Sequence, residues 1–212
     1  MHDVIPGILE KQEEEIEKKL QIIKPFCKVV HIDILDGIFS EEVSLLDPNF
    51  FKQYRDEFFF EAHLMVDDPT AYLKPFAQAG FKRFLGHVEK MKDVEEFVAL
   101  GQVLGEVGLA LDVNTNIDSV HVPLDDLDVL LLMSVKAGES GQEFMPQALD
   151  KIAQIRNTSQ VPIEIDGGIN DKTILAAFQK GANRFVTTSF IFNAIDPVQT
   201  FEKLKSSVAR PF

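Results

Sequence analysis

Short apolar runs alternate with amphipathic segments from one end of the chain to the other, and the alternation repeats eight times. The apolar runs predict strands at Val4–Ile8, Val29–Ile34, Phe58–Met65, Arg83–Val88, Glu106–Leu111, Val129–Val135, Pro162–Ile165 and Arg184–Thr187. Helical spacing of apolar residues marks Gln12–Ile23, Pro69–Ala79, Val94–Leu104, Pro146–Arg156, Lys172–Lys180 and Val198–Val208. Strand and helix in regular turn is the pattern of parallel βα units, and 212 residues suit one such ring. The expected fold is therefore α/β, a single (β/α)8 TIM barrel occupying residues 1–212 as one domain.

Local signals agree with the periodicity. Asp68-Pro69 and Asp196-Pro197 place a capping acid before a proline that suits the first helical turn, and Gly80 and Gly181 follow helices as stops. The run Glu13-Glu14-Glu15 followed by Lys18-Lys19 supports a helix rather than a charge motif, with acids in the first turn and bases one turn on. The fifth unit is the weakest. Asn114 to Asp128 carries little helical periodicity and predicts a short or irregular helix.

Composition narrows the partners. With 45% hydrophobic and 26% charged residues the chain reads as an ordinary globular protein. A net charge of −13 repels phosphodiester backbones and anionic lipid surfaces, so neither a nucleic-acid nor a membrane partner is expected. An anionic small molecule must then be met by local donors. The one cysteine, Cys27, excludes an internal disulfide and is read as packing. No signal-peptide pattern opens the sequence and no 18-residue apolar window occurs, so a cytoplasmic location is expected.

Three strands break the apolar rule at matching ends. In Val29-Val30-His31-Ile32-Asp33-Ile34, alternation sets His31 and Asp33 on one face and apolar residues on the other. The third run sets Glu61, His63 and Met65 on one face, and the seventh sets Glu164 and Asp166 before Gly167-Gly168. Strands buried on both faces should be apolar, so polar groups at their carboxyl ends mark an active-site mouth. His31, Asp33, His63 and Asp166 form a nitrogen and oxygen ligand set suited to one divalent ion, Zn, Fe, Mn or Co, and not to a thiolate site.

These segments resemble a known family. His31-Ile-Asp33-Ile-Leu-Asp36-Gly37, His63-Leu-Met65-Val66 and Ile163-Glu-Ile-Asp166-Gly167-Gly168 look like ribulose-phosphate 3-epimerase. So do Gly108-Leu-Ala-Leu111, Leu132-Met133-Ser134-Val135, Gly141-Gln142 and Gly181-Ala-Asn183, in the family's order. The resemblance implies a ribulose-phosphate-binding barrel that interconverts D-ribulose 5-phosphate and D-xylulose 5-phosphate through an enediolate. It implies metal ligation by His31, Asp33, His63 and Asp166, with Asp33 and Asp166 as the acid/base pair. Substrate contacts are implied for His63, Met65, Met133, Gly138, Ser140, Gly141, Gly167, Gly168, Thr188 and Ser189. Oligomers are common in the family, and no feature of this sequence tests that here.

The match is uneven. Where the family has a glycine-rich phosphate loop, this chain has Ala137-Gly138-Glu139-Ser140-Gly141, with Lys136 just before it. Glu139 sets a negative charge near a phosphate site. The family's Gly-Ser pair becomes Thr188-Ser189, Gly7 replaces a substrate-contacting serine, Ile38 replaces a histidine, and Leu35 replaces a wall methionine. Metal positions kept beside altered phosphate positions leave two other readings open: an epimerase for another ketose phosphate such as a hexulose 6-phosphate, or a noncatalytic sugar-phosphate-binding barrel. Orotidine-phosphate decarboxylases and hexulose-phosphate synthases carry a lysine in Asp-x-Lys-x-x-Asp that this chain lacks.

Overall fold

The computed structural model describes residues 2–138 and 142–209. Eight parallel strands close into a barrel in chain order: β1 (Asp3–Ile8), β2 (Val29–Leu35), β3 (Phe59–Met65), β4 (Phe81–His87), β5 (Glu106–Leu111), β6 (Val129–Met133), β7 (Ile163–Asp166) and β8 (Arg184–Thr187). Two differences from the expected bounds have clear causes. β4 begins earlier because Phe81 is buried against the rings of Phe51, Phe60 and Phe76. β6 stops at Met133: the Ser134 amide still reaches Asp166 O at 2.7 Å, but β7 ends there and the Ser134 carbonyl accepts from the Met145 amide instead.

The outer layer holds α1 (Glu13–Ile23), α2 (Pro69–Ala79), α3 (Val94–Leu104), α4 (Gln147–Arg156), α5 (Thr173–Lys180), a short α6 (Ser189–Phe192) and α7 (Pro197–Ser207). Their buried residues recur at helical spacing, as with Ile16, Leu20 and Ile23 of α1. Asp196 caps α7 by accepting from the Gln199 amide, whereas the side chain of Asp68 makes no cap and instead accepts from Lys92 Nζ at 3.2 Å. Gly80 and Gly181 end α2 and α5 in the left-handed region, at φ 104° and 109°. Only 3-10 turns, Ile117–Ser119 and Leu124–Asp126, fill the fifth unit, as its weak periodicity implied. The second unit likewise has a 3-10 helix, Pro48–Tyr54, that buries Phe51 and Tyr54.

Two apolar clusters result. Val30, Ile32 and Ile34 of β2 face outward into the layer between barrel and helices, while Leu35, Met65, Leu85, Ala110, Leu131 and Met133 meet inside the barrel. Cys27 packs at the edge of the outer cluster. Register brings the polar interior together: His31 lies beside Glu61, Asp33 beside His63, and Met133 beside Asp166. Among the described residues no helix is long and apolar enough to cross a membrane.

Candidate metal and proton-transfer site

β2 supplies His31 and Asp33, β3 supplies His63, and the last residue of β7 is Asp166. His31 and His63 are fully buried and Asp33 is 7% exposed. One ligand atom from each of the four lies within 4.8 Å of the other three. His63 Nδ1 stands 2.8 Å from Asp33 Oδ1 and 3.7 Å from Asp166 Oδ2; His31 Nε2 stands 3.3 Å and 3.8 Å from the same two oxygens. The four residues expected as metal ligands are thus brought to one point.

The far side of each histidine is held. His31 Nδ1 lies 2.7 Å from Glu61 Oε1, and Glu61 also pairs with Arg83. Burial opposes ionisation of Glu61, but His31 and Arg83 outweigh it and hold the carboxyl down at about 2. An ionised carboxylate only accepts, so His31 Nδ1 donates to it. That leaves Nε2 buried without a hydrogen-bond partner, facing two more carboxylates. His63 Nε2 lies 2.9 Å from His87 Nε2, and His87 Nδ1 lies 3.0 Å from Glu89 Oε2.

Electrostatics separate the two aspartates. Burial works against ionised Asp33, yet the neighbouring His31 and His63, the latter by a hydrogen bond, hold it well below the usual carboxylate range. Burial, and next the neighbouring Asp33 charge, push Asp166 up to about 7. Burial brings His63 down to about 4. Burial also opposes a charge on His31, but Asp33, Glu164 and Glu61 overcome it and raise that ring well above its ordinary value. His31 Nε2 therefore faces two carboxylates in a setting that favours positive charge there. Two imidazole nitrogens and two carboxylate oxygens suit a borderline divalent ion, and the orphaned buried Nε2 fits one.

A cavity of about 760 Å3 opens above this cluster. Asp33 and Asp166 form part of its floor, with Met65, Met133, Leu9, Val135 and Ile169 as apolar wall. Of the residues expected to contact substrate, Gly138, Gly167, Gly168, Thr188 and Ser189 also line it, whereas His63 is fully buried, as is His31, and is not part of the lining. Ser140, Gly141 and Glu139 fall outside the described residues. The Gly167-Gly168 turn has φ of 111° and 61°, and Ser134 Oγ pins it by donating to Asp166 O and Gly167 O at 2.9 and 2.6 Å. A Cβ at Gly7 would lie 2.6 Å from Thr188 Oγ1, so the two departures from the family pattern occupy one space.

Sequence reading missed His87, Glu89 and Arg83, and the cavity residues Phe144, Asn170 and Asn193. A signal for the first existed: Arg83, Leu85 and His87 alternate along β4 as His31 and Asp33 do along β2. Asp36 accepts from the amides of Ile38, Phe39 and Asp67, tying the loop after β2 to that after β3. It thereby seats Phe39 against the His87 ring, with centroids 4.7 Å apart.

Comparison with known proteins agrees with this geometry. The profile described as "Ribulose-phosphate 3 epimerase family" matches residues 3–192. The chain is 31% identical to a ribulose-phosphate 3-epimerase of Schizosaccharomyces pombe, covering 98% of this chain and 94% of that one. Against the Bacillus subtilis ribulose-phosphate 3-epimerase, identity is 27% over 98% and 100% of the two chains. Among solved structures, 3-hexulose-6-phosphate synthase from Salmonella typhimurium superposes with a TM-score of 0.74 at 14% identity, covering 98% of each chain. At that identity the likeness shows the fold alone.

Proposed function

The chain belongs to the ribulose-phosphate 3-epimerase family and is an epimerase, and on that premise we propose that it interconverts D-ribulose 5-phosphate and D-xylulose 5-phosphate by proton transfer at C3. The observation that carries the mechanism is the placing of Asp33 and Asp166 together on the cavity floor, carried there by separate strands. Burial and the Asp33 charge raise Asp166 while the neighbouring histidines lower Asp33, so the two carboxyls suit the parts of acid and base. Epimerisation needs both: one takes the proton from one face of C3, and the other returns a proton to the opposite face of the planar enediolate.

Asp33 and Asp166 reach the floor from β2 and β7, three strands apart the short way round. Substrate held between them would present its two faces to the two carboxyls. In the reverse direction the roles exchange. Met65, Met133 and Val135 exclude water from the exposed carbanion character at C3 and keep Asp166 protonated until it donates. His31, Asp33, His63 and Asp166 would hold a divalent metal ion. When bound, that ion supplies a Lewis acid for the charge developing on the C2 oxygen. The sugar's phosphate would lie toward Gly138, Gly167-Gly168 and Thr188-Ser189.

A coupled assay on ribulose 5-phosphate beside hexulose 6-phosphates tests the reading. Turnover of the pentulose, lost on chelation and recovered with Zn, Mn, Fe or Co, is the expected result. Strong preference for a six-carbon substrate, or no turnover with any of these ions, would overturn it.

A further inference from the structure

Four side chains in register across four adjacent strands form a row inside the barrel that the proton transfer does not use. His31 of β2 is the register partner of Glu61 on β3, Glu61 of Arg83 on β4, and Arg83 of Glu106 on β5. Register partners point to the same side of a sheet, and here each side chain meets the next. His31 Nδ1 lies 2.7 Å from Glu61 Oε1, and the other Glu61 oxygen accepts from Arg83 Nη1. Arg83 Nε and Nη2 reach Glu106 Oε2 at 2.7 and 2.6 Å. His31, Glu61 and Arg83 are buried, and the row meets solvent at Glu106.

The row matters because His31 has a second carboxylate within reach. Glu164 Oε1 stands 3.4 Å from the same Nδ1, and Glu164 is fully buried with no hydrogen-bond partner for either oxygen. A ring that turned toward Glu164 would carry Nε2 off its line to Asp33 and Asp166, which it now faces at 3.3 and 3.8 Å. Arg83 distinguishes the two carboxylates. Its guanidinium lies on Glu61 and compensates that buried charge, while no such group is hydrogen-bonded to Glu164. The guanidinium is itself fixed by Glu106 and by the face of Phe59, whose centroid is 4.9 Å from Arg83 Cζ.

We propose that Arg83 is a positioning residue: by holding Glu61 it selects that carboxylate over Glu164 behind His31, and so aims His31 Nε2 at the place where the divalent ion would bind. The claim rests on the metal reading above and extends it to a residue that touches neither the ion nor the substrate. Arg83→Met keeps an apolar stem and removes the fork. Calorimetric titration of metal-stripped protein with zinc should show roughly a 10- to 100-fold loss of affinity, the range found when the support of a ligating histidine is lost. Arg83→Lys keeps a charge for Glu61 without the fork to Glu106 and should lose less. Cobalt in place of zinc gives a spectroscopic reading, since its visible bands follow ligand geometry; they should shift in Arg83→Met. A crystal structure of metal-free Arg83→Met should show the His31 ring turned from Glu61 toward Glu164. Lys151→Met removes three hydrogen bonds outside the row and controls for lost stability alone, so it should bind zinc as wild type does.

Wild-type zinc affinity in Arg83→Met would overturn the proposal, as would an equal loss in Lys151→Met or a metal-free Arg83→Met structure with His31 still on Glu61. If Arg83→Met does not fold, Glu106→Ala, at the solvent end of the row, decides in its place: weaker zinc binding and a turned His31 ring are expected, and wild-type affinity would overturn the claim. If wild type takes up no zinc, the metal reading fails, whereas the His31 ring in the metal-free variants still judges the role of Arg83.

Discussion

Gly7 and Thr188 meet where β1 and β8 adjoin, and their exchange of bulk is specific. A Cβ on Gly7 would fall 2.6 Å from Thr188 Oγ1 and 2.9 Å from Val186 Cγ1. Gly7→Ser alone should therefore destabilise the fold by about 1–3 kcal/mol, the usual cost of overfilling a packed site. Thr188→Gly in the same chain should recover part of that loss, giving non-additive urea midpoints. Strictly additive costs would show that the two positions do not share space. From sequence these were two separate departures, because positions 181 residues apart reveal no contact until the barrel closes β8 on β1. The four proposed ligand positions were legible for the opposite reason: each interrupts an apolar strand, and alternation alone assigns its face. His87 and Glu89 were not read. They join the site through hydrogen bonds to His63 and Asp112, which no strand pattern encodes.

Among the elements, strands and long helices were legible because burial imposes one period on each. The fifth unit was legible only as a failure of helical spacing. Its loop is held from outside, since Lys151 Nζ of α4 donates to three of its carbonyl oxygens, those of Asp112, Val113 and Thr115. Lys151→Met keeps the apolar stem and removes those donors. It should cost about 1–3 kcal/mol and raise hydrogen exchange at residues 112–115 ahead of the strands. Uniform exchange across the barrel, or no change, would mean the loop is held by other contacts. The Asp68 cap is instructive in the same way. The dipeptide Asp68-Pro69 starts α2 as expected, but proline geometry suffices and the carboxylate turns to Lys92.

At the scale of the molecule, the barrel interior is divided between an apolar sector and a charged one in which Glu61 joins His31 to Arg83. Glu61 is held at about 2, below its ordinary 4.5. Its ionised form thus stabilises the fold above about pH 4.5, and that contribution is lost as pH falls toward 2. Wild-type stability should fall on acidification through this window, and the gap between wild type and Glu61→Gln should narrow there. A gap independent of pH would contradict the assignment. The whole arrangement serves one claim, that Asp33 and Asp166 exchange a proton at C3 from opposite faces. Each carboxyl should contribute about 10²- to 10⁴-fold, so Asp33→Asn and Asp166→Asn should each lower epimerisation by at least that much. The most direct measurement is NMR of ribulose 5-phosphate incubated with the metal-loaded protein in D2O. The account predicts deuterium at C3 of both epimers with wild type, and loss of epimerisation in either asparagine variant. Epimerisation without any solvent deuterium at C3, or full activity in either variant, would contradict it.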